Sequence, residues 1–198
     1  MGSSSALSPS KEAYRTRFRA YRRSLSRRSQ RARGALITHR ALQHPVLASA
    51  QTIHLYWPQL EQGEVDTRLL IAALRILGAT VALPVVTSYD PEHPTMEPRR
   101  YDGPTALTTN RWDIREPTDA PRIPPEALDA VVVPALGAGR TGHRIGHGAG
   151  YYDAFLSAVE GPRIGLVYHE CLLPSVPSAP HDVALTSIIT ERGTFTVD

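Results

Sequence analysis

The stretch AVVVPALGAGRTGHRIGHGAGYYD, residues 130–153, decides the fold class. It opens with a run of branched apolar residues, Val131–Val133, closed by Pro134. A short run of that kind between turn signals predicts a buried parallel strand. Six glycines follow between positions 137 and 150, with Arg140, His143, Arg144 and His147 threaded among them. Tyr151, Tyr152 and Asp153 then lead into Ala154, Phe155 and Leu156, a helix start. A strand, a glycine-rich basic loop and a helix N-terminus make an anion site. Main-chain N–H groups with no side chains in the way close on phosphate oxygens, and the helix dipole adds to the attraction. The spacing excludes two common versions of such a loop. No Lys-Ser/Thr follows the glycines, and those at 146, 148 and 150 run G-x-G-x-G rather than G-x-G-x-x-G. Without further detail the loop reads equally well as a flexible surface segment.

Upstream, Thr52–Tyr56 reads as a strand, Val65–Leu77 as a helix with Leu69, Leu70, Ala73, Leu74 and Leu77 on its apolar face, and Thr80–Val86 as a second strand. That order favours a parallel crossover. An earlier helix spans about Ala35–Ala48, with Leu36, Ala41, Leu42 and Leu47 inward. Ser8-Pro9 looks like a helix cap, after which Tyr14, Phe18, Tyr21 and Leu25 form one apolar stripe. Lys11, Arg15, Arg19 and Arg22 line an adjacent stripe, read for the most part as a solvated face. Residues 87–128 are rich in proline and charge and read as a long, largely exposed insertion with one short hairpin near Met96–Tyr101. Downstream, Arg163–Tyr168 is a buried strand, Val183–Thr190 another, and Phe195–Val197 an edge strand. The expectation is one α/β domain over 10–198: a three-layer, mostly parallel, doubly wound sheet with helices on both faces, preceded by a disordered tail at 1–9.

Composition narrows the function classes. A chain of 198 residues is long enough to bury a sizeable core. Cys171 is the only cysteine, so no disulfide forms within the chain, in keeping with a reducing compartment. No apolar run approaches membrane-spanning length, and MGSSSALSPS has no apolar core that would make it a secretory signal. A cytoplasmic protein, working as a monomer, is expected. The net charge of +3 is unevenly placed: residues 11–33 hold ten Lys/Arg against the single acid Glu12. Such a segment suits small polyanions or nucleic acid. Lys11 stands out as the only lysine, a compact point charge in a chain that otherwise uses arginine. There is no cysteine–histidine cluster of zinc-ligand spacing.

The ordered ending G-x-R-I-G-x-G-x-G-Y-Y-D, residues 142–153, is far more specific than its glycines alone. It resembles the signature of the 5-formyltetrahydrofolate cyclo-ligase family, also called methenyltetrahydrofolate synthetases. The resemblance extends over nearly the whole chain. It takes in Lys11-x-x-x-Arg15, the GEVDT segment with Glu64, and Met96, Tyr101 and Trp112–Pro117 in the insertion. It implies an ATP- and Mg²⁺-dependent enzyme that closes 5-formyltetrahydrofolate to 5,10-methenyltetrahydrofolate, with ADP and phosphate as the other products. Lys11, Arg15, Arg144, Ile145, Gly146, His147, Gly148, Ala149, Gly150, Tyr151 and Tyr152 would then hold ATP, with Lys11 and Arg144 aiding phosphoryl transfer. Glu64, Tyr151, Tyr152 and Trp112 would contact the folate substrate, and Asp153 and Asp182 would hold Mg²⁺. Several of these have plainer readings: Asp153 and Glu64 as helix-start acids, Asp182 as a turn residue, and one of the two tyrosines as core. Tyr101 and Arg99 or Arg100 are further candidate walls for a flat ring.

The chain departs from the family where Ala138-Gly139 replaces a common Phe-Asp and Thr186 stands at a frequent Asp. That raises a divergent ATP-binding relative as one alternative. A nucleic-acid module built on the basic 11–33 segment is the other, though no recognition motif supports it.

Overall fold

The computed structural model describes residues 9–197. In chain order the elements are α1 (Lys11–Ser24), α2 (Arg27–Leu42), α3 (Pro45–Ser49), β1 (Thr52–His54), α4 (Arg68–Ile76), β2 (Thr80–Ser88), β3 (Thr95–Arg100), β4 (Leu107–Thr109) and β5 (Arg115–Pro117). There follow β6 (Ala130–Pro134), β7 (Gly137–Gly139), β8 (Arg144–Ile145), α5 (Tyr151–Leu156), β9 (Arg163–Leu166), β10 (Leu172–Leu173), β11 (Ser187–Ile189) and β12 (Thr194–Thr196). The main sheet has seven strands in the order β12-β11-β9-β6-β1-β2-β3. The five inner strands run parallel, and β3 and β12 close the edges antiparallel.

Burial explains why the central strand has no polar position. Val131, Val132 and Val133 on β6 are all at 0% exposure, because both faces of the sheet are covered. Ala130 and Val132 face one cluster with Ile53, Leu55, Val81 and Leu83; Val131 and Val133 face the other with Ala82 and Ile188. The α/β fold with helices on both faces is as expected, but the layers are unequal. Phe18 of α1, Ile37 and Ala41 of α2, Leu47 of α3 and Leu70, Ile71 and Leu74 of α4 all belong to the first cluster. Among the described residues the one helix on the second face is α5, through Phe155 and Leu156, joined by loop residues such as Leu128, Val159 and Leu185.

Several element boundaries differ from the sequence expectation. Helix α1 is capped by Ser10, whose side chain accepts from the Ala13 N–H; Ser8, like the rest of the expected tail up to that point, lies outside the described residues. The basic segment is two helices, broken at Leu25–Ser26, with Ser26 capping α2. Helix α2 begins at Arg27 and stops before Pro45, which starts the separate α3. Leu36 is 50% exposed on its outer face. Leu69 and Leu77 also point outward, and Ile71 takes the inward place that the shifted helix register leaves. The 87–128 segment is less exposed than expected. It contributes β3 to the main sheet, pairs β4 with β5 in a small sheet of its own, and buries Tyr101 and Glu116.

The basic segment is only in part an open cationic face: Arg17, Arg23, Arg28 and Arg31 are exposed, and the rest are paired or buried among the described residues. Arg22 is 2% exposed and its guanidinium donates to the Ala135 carbonyl at the end of β6. Lys11, Arg15, Arg27 and Arg33 are ion-paired with Asp182, Glu12, Glu61 and Glu191.

Candidate active site

Strand β1 is flanked by β2 and β6, so the chain leaves it in one direction and returns on the other side. Such a switch point opens a crevice beyond the C-terminal strand ends. A cleft of about 400 Å³ lies there, lined by Tyr56 and Trp57 after β1, Pro134 at the end of β6, and the loop Gly146–Gly150.

One half of the cleft is polar. The loop after β8 runs Gly146, His147, Gly148, Ala149, Gly150 into the first turn of α5. No acceptor engages the main-chain amides of 146–150 among the described residues. Arg15 fixes the loop from α1: its Nε donates to the Gly146 carbonyl at 3.1 Å. Its guanidinium lies flat against Gly148, where φ is +105° and an added Cβ would sit 3.2 Å from Cζ. Arg144 lines the cleft but is 7% exposed, with Nη1 donating to the Val183 carbonyl at 2.7 Å and Nη2 to Asp153 Oδ1 at 2.9 Å. Asp153 Oδ1 also accepts from the Val183 N–H, while Oδ2 has no partner among the described residues. Lys11 Nζ bonds both oxygens of Asp182, and the Ala179 N–H donates to the same carboxylate. Burial opposes ionisation of Asp182, but the hydrogen bonds from Lys11 and Ala179 and the charges of Lys11 and His181 outweigh it and hold its carboxyl below the usual range.

The other half is aromatic and apolar. Trp112 meets Tyr151 edge to face at 5.4 Å and Tyr89 at 4.6 Å. Tyr151 donates its hydroxyl to the Ser88 carbonyl at 2.9 Å. Pro84, Val86, Met96 and Ile114 complete the wall. Between the halves stand Glu64 and Tyr152. Glu64 accepts from the Gln59 N–H at 2.8 Å and lies 3.4 Å from His147 Nε2. Tyr152 reaches the buried His54 of β1, Oη to Nε2 at 3.3 Å. Burial pushes the His54 imidazole down to about 3. Burial, with the Glu64 charge beside it, pushes the Tyr152 hydroxyl far up.

Of the residues singled out in the sequence, Lys11, Arg15, Glu64, Trp112, Arg144, Gly146–Tyr152, Asp153 and Asp182 line this one cleft. Ile145 does not. It pairs with Gly137 across β7–β8 and its side chain is core at 1% exposure. Tyr101 is also outside, buried against Trp57 at 5.7 Å. Arg99 and Arg100 are tied to Glu97 and Asp102. Both tyrosines border the cleft, and Tyr152 also packs into the second core cluster, edge to face with His54 and Phe155. Gly139 and Thr186 lie away from it: Gly139 packs under Ser175–Val176, and the Thr186 hydroxyl bonds Arg163 at the opposite end of the sheet. The two missing acids therefore take no side chain from the cleft. Sequence reasoning missed Tyr56, Trp57, Val86, Ile114, Glu116 and His181. The first three sit at or just after the C-terminal ends of parallel strands, a position that could have singled them out.

The fold and its cleft define an α/β protein with an open cleft at the switch point of a mostly parallel sheet. The chain belongs to the 5-formyltetrahydrofolate cyclo-ligase family, whose profile matches residues 7–191. It is 34% identical over 149 residues to a 5-formyltetrahydrofolate cyclo-ligase of Mycolicibacterium smegmatis, covering 73% of this chain and 75% of that one. With the enzyme of that name from Escherichia coli K12 it shares 28% over 178 residues, 87% and 96% of the two chains. A solution structure of the Aquifex aeolicus 5,10-methenyltetrahydrofolate synthetase superposes with a TM-score of 0.83 at 25% identity, covering 94% of this chain and 92% of that one. Among the described residues no helix is long and apolar enough to cross a membrane.

Proposed function

We propose that this protein converts 5-formyltetrahydrofolate to 5,10-methenyltetrahydrofolate, consuming ATP with Mg²⁺ and releasing ADP and phosphate. The observation that carries the reading is the division of one cleft into a cationic, amide-lined half and an aromatic half. A triphosphate suits the first and a pterin ring the second, so the two would meet near Glu64, His147 and Tyr152.

In this reaction the formyl oxygen attacks the γ-phosphorus, forming one O–P bond as the bond to ADP breaks. N10 then adds to the formyl carbon and loses its proton. The C–O bond breaks and phosphate departs with the formyl oxygen. Phosphoryl transfer of this kind rests on positioning and charge neutralisation. The roles follow from placement. The amides of Gly146–Gly150 would cradle the phosphates, Lys11 would reach a terminal one, and Arg15 would hold the loop closed on them. Arg144, with two nitrogens already engaged, would act chiefly by orienting Asp153. Two carboxylates, Asp153 and Asp182, border the phosphate half, and a pair of carboxylates completed by phosphate oxygens and water suits Mg²⁺. The ion would neutralise charge on the phosphates. Action in the cytoplasm as a monomer belongs to the same reading, and the buried Cys171, whose thiol burial raises to about 12, fits a reducing compartment. A nucleic-acid role has less support, because no recognition motif accompanies the basic helices and Lys11, Arg15, Arg19, Arg22 and Arg33 are paired or buried, which leaves Arg17, Arg23, Arg28 and Arg31 as its exposed, unpaired cations among the described residues.

The test is direct. Purified protein given ATP, Mg²⁺ and 5-formyltetrahydrofolate develops methenyl absorbance, and a chelator stops it. A folded, metal-supplied sample without affinity for adenine nucleotides would overturn the reading.

A further inference from the structure

Glu116 lies in the aromatic half of the cleft and has no role in the scheme above. Its residue is 6% exposed. One oxygen, Oε1, is fully used: it accepts from the Val86 N–H at 3.0 Å and from Asn110 Nδ2 at 2.7 Å. The other, Oε2, has no hydrogen-bond partner among the described residues, yet it is not sealed in, and the side chain lines the cleft. Two other acids of the same segment are charge-compensated, Glu97 by Arg99 and Arg122 and Asp102 by Arg100, whereas Asp113 and Asp119, unpaired among the described residues, are exposed to water. Glu116 has no cation within ion-pair distance among the described residues. A carboxylate held this firmly, without a counter-charge and against Val86, Met96, Ile114 and Trp112, is costly unless a ligand supplies the missing donors.

We infer that Glu116 is the specificity residue for the ligand's ring edge, accepting N–H donors from a planar 2-amino-4-oxo-pyrimidine of the kind a reduced pterin carries. The inference rests on the folate reading of the cleft and adds the group that selects the ring. The slot walls are flat or aliphatic, so they admit a ring but do not read its edge. Of the other carboxylates in the cleft, Asp153 and Asp182 border the phosphate half, and the oxygens of Glu64 already face the Gln59 N–H and His147, on the loop side. Among the described residues, Glu116 is the one carboxylate lining the apolar half, and its Oε2 is an open acceptor there. Its two tethers fix the direction of that acceptor, and donors on the ring would meet it in the ring plane.

The variant Glu116→Gln separates the roles. Its amide oxygen can keep the Val86 and Asn110 bonds, which places the NH₂ group where Oε2 stood, donor against donor. Calorimetric titrations use 5-formyltetrahydrofolate and its 2-desamino analogue, each with a non-hydrolysable ATP analogue and Mg²⁺. The unaltered protein prefers the 2-amino ligand by about 10- to 100-fold, the span of a charge-assisted hydrogen bond. In Glu116→Gln that preference collapses toward unity while nucleotide affinity and melting temperature hold. Glu116→Asp, which withdraws the oxygens by one methylene, loses the preference as well and serves if the glutamine variant does not fold. An unchanged preference in the variants overturns the inference and leaves the folate reading standing. Equal loss for both ligands with a lowered melting temperature also overturns it, since the carboxylate would then only staple Val86 to Asn110. If the unaltered protein binds neither ligand, both readings fall together.

Discussion

Lys11 Nζ lies 2.7 Å from Oδ1 of Asp182 and also bonds Oδ2, so the N-terminal helix and the loop before β11 are joined by one ion pair at the mouth of the cleft. Each partner is wanted elsewhere in the proposed reaction, Lys11 by a terminal phosphate and Asp182 by Mg²⁺. On the proposed reading the pair would loosen when ATP and Mg²⁺ bind, and its two members would act as a unit. Lys11→Ala should cut kcat/KM for ATP by about 100-fold, the scale of a lost charge-assisted contact. Lys11→Arg should not restore it, because a planar fork replaces a compact ammonium. In steady-state assays the double variant Lys11→Ala/Asp182→Ala should lose less than the two single losses combined. Strict additivity would show that the pair is not coupled.

His54 gives the fold a pH dependence. Its ring is fully buried and its pKa lies near 3, below the ordinary value for histidine. Between those values the unfolded chain binds a proton that the folded chain refuses, so stability falls as pH falls below about 6.5. At pH 5 the loss from this one group is about 2 kcal/mol relative to neutral pH. Denaturant unfolding at pH 7 and pH 5 measures it. His54→Leu should show a smaller difference between the two pH values than the unaltered protein, with His44 titrating in the same sense in both. An equal difference would mean that His54 takes up its proton without unfolding.

What the sequence made legible follows from how local each signal is. The valines of β6 and the glycines after them interact with near neighbours in the chain or with the whole sheet, so periodicity and spacing report them. The loop signature also marked most of the polar half of the cleft. Arg22 was unreadable as a buried group because its partner, the Ala135 carbonyl, is 113 residues away. Glu116 was hidden for a similar reason: its tether to Val86 forms only when β5 packs beside β2. Leu36, Leu69 and Leu77 misled because hydrophobicity says that a residue can be buried, not that a neighbour arrives to bury it.

Gly139 stands where the family resemblance leads one to expect an acid, which invites the variant Gly139→Asp. There is no room for it. A Cβ at this position would lie 2.8 Å from the Val176 nitrogen and 2.9 Å from the Ser175 Cα, backbone that cannot swing aside. The variant should lower stability by about 1–3 kcal/mol, as overpacking does. The Mg²⁺ concentration that gives half-maximal activity should stay unchanged, because position 139 does not line the cleft. Thermal melts and a metal titration check the two halves separately, and a shifted metal requirement would place residue 139 nearer the phosphates than the structure does.

Trp112 is 39% exposed, a large apolar surface left open on one side of the cleft while its edges rest on Tyr89 and Tyr151. Arg111 lies over Tyr89 at 3.8 Å and near the Trp112 ring at 5.1 Å, which holds the aromatic group in place without filling the cleft. A pterin ring bound there would cover the indole and gain an aromatic contact worth about 1–2 kcal/mol with its buried area. Trp112→Ala should therefore raise KM for the folate about 5- to 30-fold. Its KM for ATP should hardly move, since the phosphate half lies across the cleft. Trp112→Phe should recover most of the loss, because a smaller ring keeps the stacking surface. Both tryptophans of the chain, Trp57 and Trp112, line the cleft, so intrinsic fluorescence should also change when the folate binds. If Trp112→Ala weakened ATP and left the folate untouched, the two halves of the cleft would have to be exchanged.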